Sequence, residues 1–363
     1  MKKADAGGGR NPYATRLADV RAKARRRRLD AVVLVNEYNR LALTGVACDN
    51  GCLVLGEEIG FYTDFRYAVM AERVAPWLDT RDIWKRGETV AGLRAALARA
   101  GVASPRRIGF EAGASARWYL ELRKAFPKAK LVDVEGDVHS ARAVKTVEEI
   151  GKIAAAEALN DQIWSCSRRD FRPGMTEKEI QRVIRAWMNA LGDGEAFETI
   201  VCAGANAAEC HHVPDDTVWR KGEALLVDMG VKLDGVCSDM TRCIKSADRE
   251  YRRVYDVVLA ANQAAIAAAR PGMTAGALDA VARRIIAKAG YGANFGHSLG
   301  HGVGFEIHEA PTVAPKSEVV LEEGMTVTIE PGVYLPGKLG VRIEDLVLIT
   351  SDGCEVLSHS LKT

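Results

Sequence analysis

The sequence predicts an α/β domain followed by a larger α+β domain that is internally duplicated. Three observations carry this reading. From Tyr13 to about Ser140, apolar strand-like runs alternate with amphipathic helical runs, the pattern of an α/β unit. The pentapeptide RPGMT then occurs twice, at Arg172–Thr176 and Arg270–Thr274, each time just ahead of a helical run. A strand-like run opening on glycine follows each copy, GEALLVDMG from Gly222 and GMTVTIEPG from Gly324, and six residues on from each glycine stands an acid, Asp228 or Glu330.

Taken in order, MKKADAGGGR has the composition of a mobile tail, so residues 1–12 are set apart from a first domain at 13–140. AVVLV, IGFYTDFRY, RRIGFE and AKLVDV read as strands, and the runs near 15–28, 69–75, 88–100 and 114–125 read as helices. The basic cluster KARRRR at Lys23 to Arg28 closes the first helix, where cations favour the helix dipole, and reads as a solvated helix end. Around HSARAVKTVEE the pattern becomes helical, with Thr146 and Glu149 spaced as a capping box. The boundary falls near Ala141, and the second domain fills 141–363.

Within that domain Pro-Gly makes a turn and the following threonine caps a helix. Thr176 has Glu179 to complete a capping box, whereas Thr274 is a cap alone. The capped helices close on Gly192 and Gly290. Each copy is preceded by another helical stretch, VEEIGKIAAAEALNDQIW or YRRVYDVVLAANQAAIAAA. The domain is thus a helix–turn–helix–strand unit made twice, with a carboxylate at the same place in each half.

Composition narrows the function classes. A chain of 363 residues, 48% apolar and 27% charged, is long enough for two globular domains. A net charge of +2 offers no bulk attraction for nucleic acid. No secretory h-region and no membrane-spanning apolar run is present, so a cytoplasmic protein is expected. The eight cysteines, Cys48, Cys52, Cys166, Cys202, Cys210, Cys237, Cys243 and Cys354, form no CxxC and are expected to be free thiols.

Chemistry is concentrated in the acids and histidines of the second domain. Leu-Asp-Gly after Asp228 is a turn signal. With the hairpin axis between Leu233 and Asp234, Asp228 lies opposite Asp239. Glu330 and Glu344 flank YLPGKLGVRI, and pairing them puts the axis on Gly337, although Pro331 cannot donate to the ladder. Facing like charges destabilise a sheet unless a cation lies between them. Either pair alone reads as surface strand acids; both pairs, after matched glycines, offer oxygen ligands for one or two divalent cations.

Histidines cluster there too, in ECHHVPDD and GHSLGHGVGFEIHEAP. His211 follows Thr176 by 35 residues and His308 follows Thr274 by 34, so they occupy near-equivalent positions. His301 has no counterpart and is the candidate nitrogen ligand. In an extended strand His301 and His308 would point to opposite faces, so Gly300, Gly302 and Gly304 have to turn the chain if both serve one site. His139 and His359 read as surface residues.

These residues resemble the pita-bread metallopeptidases, and within them the proline-specific branch, aminopeptidase P and prolidase. HSLGHGVGFEIHE, LLVDMG, SDMTR, IEPGVY and GVRIED match that branch in order and spacing. TDFRY and the α/β domain around it look like the family's amino-terminal domain, so the resemblance spans essentially the whole chain. It implies a pita-bread catalytic domain with pseudo-two-fold duplication and a two-metal centre. Asp228, Asp239, His301, Glu330 and Glu344 would be ligands, with Asp239 and Glu344 bridging. Glu330 would also be general base on a metal-bridging water. His211 and His308 would hold the scissile carbonyl and the tetrahedral intermediate.

The resemblance further implies that His297 lines the substrate pocket, Arg342 supports Glu344 or the substrate carboxylate, and Tyr334 is a donor set behind the residues that touch metal and substrate. One nitrogen and four carboxylates suit Mn²⁺, with Zn²⁺, Co²⁺ or Fe²⁺ as alternatives. The implied substrate is a peptide with proline second, dipeptide or longer, and the implied assembly is a homodimer. Glu209-Cys210 departs from the family's Pro-type or small apolar lead-in to its first histidine. Three competing readings are methionine aminopeptidase, creatinase, and a non-catalytic relative serving as a binding protein. The leading domain argues against the first, and the complete ligand set against the other two.

Overall fold

The computed structural model describes residues 13–83 and 87–362. The tail MKKADAGGGR lies outside the described residues. Two compact units meet between Arg142 and Ala143.

The first unit contains α1 (Ala14–Arg26), β1 (Ala31–Leu34), α2 (Glu37–Thr44), β2 (Cys52–Leu55), β3 (Ile59–Thr63), α3 (Phe65–Val74), β4 (Asp79–Asp82), α4 (Thr89–Arg99), β5 (Arg107–Phe110), α5 (Ala116–Ala125) and β6 (Lys130–Asp133), and then enters α6 (Glu135–Ala143). Its strands form one mixed sheet in the order β4-β3-β2-β1-β5-β6. Period-two alternation sends Val32 and Leu34 to the face covered by Leu17 and Val20 of α1, and Ala31 and Val33 to the face covered by Leu93 and Leu97 of α4. Two readings are corrected here. IGFYTDFRY is a strand only to Thr63, because the Asp64 carboxylate accepts from the Arg66 amide and starts α3. The short α2 and β2 were not foreseen at all. Arg25–Arg28 at the end of α1 are exposed.

The second unit contains the helices α7 (Val147–Asp170), α8 (Glu177–Leu191), α9 (Arg249–Ala268) and α10 (Ala275–Lys288). Its strands are β7 (Ile200–Ala203), β8 (Leu225–Met229), β9 (Lys232–Leu233), β10 (Val236–Cys237), β11 (Met240–Ile244), β12 (Gly300–Gly302), β13 (Glu309–Val313), β14 (Thr326–Ile329), β15 (Gly332–Leu335), β16 (Leu339–Arg342), β17 (Asp345–Ile349) and β18 (Cys354–Val356). Sheet orders are β11-β8-β7 and β13-β12-β14-β17-β18, with the small ribbons β9–β10 and β15–β16. Ile163 of α7 and Ile180 and Ile184 of α8 pack on Val227 and Met229. Val258 and Ala261 of α9 and Leu278 of α10 pack on Val327 and Ile329. Each helix pair therefore covers its own hairpin.

The doubled RPGMT does the same work in both halves. Gly174 and Gly272 take the left-handed backbone, with φ of 103° and 81°. Thr176 bridges Val218 and Thr274 bridges Val320. The flanking bonds also match, Gly174 N–H to Trp219 C=O at 2.8 Å and Gly272 N–H to Leu321 C=O at 2.9 Å. Each turn thus staples the start of a helix to the segment feeding the acid-bearing strand.

The registers of the two hairpins differ from each other in how they match the sequence reading. The second forms as read: β15–β16 and β14–β17 share one register, with the turn at Gly337 and with Glu330 and Glu344 opposite each other in its continuation. The first is corrected. Asp228 pairs with Thr241, not Asp239. The turn residues are Asp234 and Gly235, with φ of 49° and 80°, an Asp-Gly pair of the kind that favours a two-residue primed turn. The axis therefore sits one residue later than expected, and Asp239 faces Gly230. A shift by an even number of residues keeps the face, so Asp228 and Asp239 remain diagonal neighbours on one side.

Gly230 itself is required by that approach. A Cβ there would lie 2.1 Å from the Ser238 carbonyl oxygen. Gly230→Ala is expected to cost about 1–3 kcal/mol by forcing the ribbon apart. Thermal denaturation checks this; a Tm within about a degree of the parent would refute so tight a fit.

Candidate active site

The carboxylate hairpins of the second unit open onto a cleft of about 510 Å³. Asp228, Asp239, His301, Glu330 and Glu344 all line it. Asp239 and Glu344 are buried at 4% and 1% exposure, and ligand atoms of Asp239, His301 and Glu344 all lie within 4.8 Å of one another. His301 Nε2 stands 3.5 Å from Asp239 Oδ2 and 3.4 Å from Glu330 Oε1. Its Nδ1 lies 3.1 Å from the Gly302 carbonyl, so Nδ1 carries the hydrogen and Nε2 keeps a lone pair toward the carboxylates.

Such a cluster is costly on its own. Burial, then the charges of Glu344 and Asp228, push the Asp239 carboxyl well above its usual range. Burial and Glu330 do the same to Glu344, and burial raises Glu330 to about 8. Burial, helped by His308, holds His301 down to about 4, the neutral form that ligates metals. Asp228 Oδ1 is buried with no hydrogen-bond partner among the described residues. Four carboxylates, a neutral imidazole nitrogen and an unpaired buried oxygen fit a divalent cation, which would cancel the repulsion and supply the missing partner.

Arg342, 3% exposed, sits behind this cluster. Its guanidinium donates to Asp228 Oδ2 at 2.6 Å, Thr241 Oγ1 at 3.1 Å, the Tyr334 hydroxyl at 2.8 Å and the Cys210 carbonyl at 3.3 Å. It holds Asp228 directly and reaches Glu344 only through Thr241, whose hydroxyl donates to Glu344 Oε2 at 2.7 Å. Tyr334 is not among the residues lining the cleft and stands beside two that are, Arg342 and His297. Its hydroxyl accepts from Arg342 and donates to His297 Nε2 at 3.0 Å. His297 does line the cleft, with Nδ1 2.7 Å from the Ser298 carbonyl. Burial holds it down to about 4, so it is neutral with both nitrogens engaged. Arg342→Lys would lose the fork that joins Asp228 to Tyr334, and a 10- to 100-fold drop in metal affinity or turnover, about what loss of a ligand's support costs, is expected. Metal titration checks it.

His301 and His308 do meet. The chain bends through Gly304–His308 between β12 and β13, and the pairing slips between His301 and Gly302. The two rings lie edge to face with centroids 4.4 Å apart. His308 and His211 are exposed side chains on the cleft; burial of the ring and the nearby His211 lower the His308 pKa. His359 is exposed and His139 partly so, outside the cleft.

Sequence reasoning missed the residues that hold the ligands from behind. Glu157 of α7, fully buried, accepts the Asp239 amide at 3.0 Å and the Ser358 hydroxyl at 2.8 Å. Asn160 and Asn262 donate from equivalent turns of α7 and α9 to the Met229 and Ile329 carbonyls, each at 3.0 Å. Their offset of one repeat was the available signal. All eight cysteines are free, five of them buried.

Comparison with known proteins follows the same outline. The sequence matches the metallopeptidase family M24 over residues 151–351 and the creatinase/prolidase N-terminal domain over residues 16–144. It is 43% identical over 250 residues to an Xaa-Pro dipeptidase of Lactobacillus helveticus, spanning 67% of this chain and 68% of that one. The structure resembles an Xaa-Pro dipeptidase from Bacillus anthracis, with a TM-score of 0.90 and 31% identity over 97% of this chain and 99% of that one. It also resembles an X-Pro aminopeptidase from Thermotoga maritima MSB8, with a TM-score of 0.83 and 31% identity over 94% and 99%.

Proposed function

The chain belongs to metallopeptidase family M24, with a creatinase/prolidase N-terminal domain ahead of the catalytic one, and from this we propose a metal-dependent exopeptidase that removes a residue preceding proline. The observation that carries the reading is the convergence of one lone-pair nitrogen, His301 Nε2, on the carboxylates of Asp239 and Glu330, in a cleft that Asp228 also lines.

The reading assigns Asp228, Asp239, His301, Glu330 and Glu344 to two divalent ions, with Mn²⁺ best suited to so oxygen-rich a set. Divalent cations held there supply Lewis acidity and a water of lowered pKa. The chain's own groups do the rest. Glu330, whose carboxylate bound cations would keep ionised, takes a proton from the attacking water as the water oxygen bonds to the carbonyl carbon. His211 and His308, exposed on the cleft, donate to the developing oxyanion. The C–N bond then breaks and the proton passes to the proline nitrogen, which, as a tertiary amide, brings no N–H of its own. Arg342 and Tyr334 hold Asp228 and His297 in place throughout.

Phe65 and Val69 of α3 stand 76% and 78% exposed one helical turn apart. An apolar stripe of this kind supports a homodimer, which sedimentation tests. Among the described residues no helix is long and apolar enough to cross a membrane, and a cytoplasmic setting is part of the same reading.

The decisive experiment measures cleavage of an Xaa-Pro dipeptide and an Xaa-Pro-Yaa tripeptide by metal-stripped protein, with and without Mn²⁺. Metal-dependent release of the first residue is the expected result, and the ratio of rates decides between dipeptidase and aminopeptidase. Absence of cleavage with every divalent metal would overturn the reading in favour of a binding protein.

A further inference from the structure

His212 borders the same cleft as the exposed His211 beside it, but its ring is buried and its surroundings are built for a charge. Nε2 lies 2.8 Å from Glu177 Oε2 and Nδ1 lies 3.0 Å from Glu209 Oε2. Both ring nitrogens face carboxylate oxygens, so both carry hydrogens and the ring is an imidazolium. Burial alone would lower its pKa, but Glu209, Glu177 and Asp215 together raise it. Glu209 is 74% exposed, which leaves the fully buried Glu177 as the stronger partner.

Glu177 ties the whole segment that carries His211. One oxygen accepts the Ala203 amide at 2.7 Å and Asn206 Nδ2 at 3.0 Å. The other accepts His212 and the Asp215 amide at 3.0 Å. These contacts lie at the residue just before the loop 204–216 and at three points within it. Glu177 is also the first residue of α8, where a negative charge is favoured. The matching position after the second RPGMT is Ala275, which has no carboxylate to offer. Glu177, His212 and Asp215 present ligand atoms within 4.8 Å, yet the Glu177 and His212 atoms are already used in these bonds, so the cluster is a clamp and not a second metal site.

We propose that His212 and Glu177 are positioning residues for His211, locking the loop 204–216 so that the His211 ring is presented to the substrate carbonyl. The proposal rests on the role given to His211 under the proposed function. It predicts a loss in kcat, since a mispositioned group acts late, with little change in metal content.

The test replaces His212→Gln, which removes the charge and one donor, alone and together with His211→Ala. His212→Gln is expected to lower kcat about 10- to 100-fold, the scale of a misplacement near the chemistry, with KM and metal content little altered. The double variant should be no slower than His211→Ala alone, because the clamp acts through that ring. Amide hydrogen exchange across residues 204–216 should quicken in His212→Gln. If His212→Gln fails to fold, Glu177→Gln, which keeps size and removes charge, is read the same way. Losses that multiply in the double variant, or exchange that stays at the parent rate, would overturn the clamp. Should the parent protein cleave no Xaa-Pro peptide, the proposed function falls, and hydrogen exchange still decides whether His212 holds the loop.

Discussion

Glu344→Gln is expected to lower kcat/KM for an Xaa-Pro peptide by about 10³-fold or more, corresponding to the several kcal/mol that a bound cation contributes to a transition state. No other single substitution touches so much. Glu344 is 1% exposed, stands opposite Glu330 in the second hairpin and takes the Thr241 hydroxyl at 2.7 Å. Glutamine keeps the shape and that hydrogen bond, so the fold should survive while a charged metal ligand is lost. A second sign follows from the repulsion that raises Glu344. At a pH where metal-free Glu344 is ionised, removing one like charge relieves the cluster, and metal-free Glu344→Gln should melt above metal-free parent protein. Wild-type turnover with a full metal complement in this variant would remove Glu344 from the site. Metal analysis beside the peptide assay reads both results.

The largest effect on stability is expected from metal removal at raised pH. In the unfolded chain a glutamate titrates near 4.3, whereas burial puts folded Glu330 at about 8 and raises Asp239 and Glu344 in the same direction. Between these limits the metal-free folded state binds more protons than the unfolded one. The stability these groups contribute is therefore full below about pH 4 and falls as pH rises, and the part due to Glu330 is lost as its folded carboxyl ionises at about 8. Bound metal keeps the carboxylates ionised and paired, so the loaded protein should not share this loss. The Tm gap between loaded and stripped protein should widen from pH 5.5 to 8, by about 2–4 °C for each kcal/mol in a domain of this size. A gap independent of pH would mean that the carboxylates are not the groups released to the metal.

Much of this site was legible because duplication leaves a trace in spacing. Glycine followed six residues on by an acid located Asp228 and Glu330, and the Pro-Gly pair fixed the second register. The first register slipped because Leu-Asp-Gly admits two axes. Only the backbone of Asp234, at φ 49°, shows which residues turn. Phe65–Tyr67 read as strand because apolar residues flank Asp64, yet a cap decides the element there. Glu157, Glu177 and His212 were illegible for a different reason. A buried polar residue on a helix has the same spacing as an exposed one, and its role exists only once a distant segment, Asp239 or the 204–216 loop, arrives beside it.

The ligands are supplied as two pairs from two hairpins far apart in the chain, and this sets an order of events during synthesis. Asp228 and Asp239 leave the ribosome well before Glu330 and Glu344 exist. Until then the nascent chain holds two adjacent acids with neither His301 nor the second hairpin to help them keep a cation. On the proposed reading metal loading waits for the second hairpin, and a product cut short before Glu344 carries an uncompensated acidic pair.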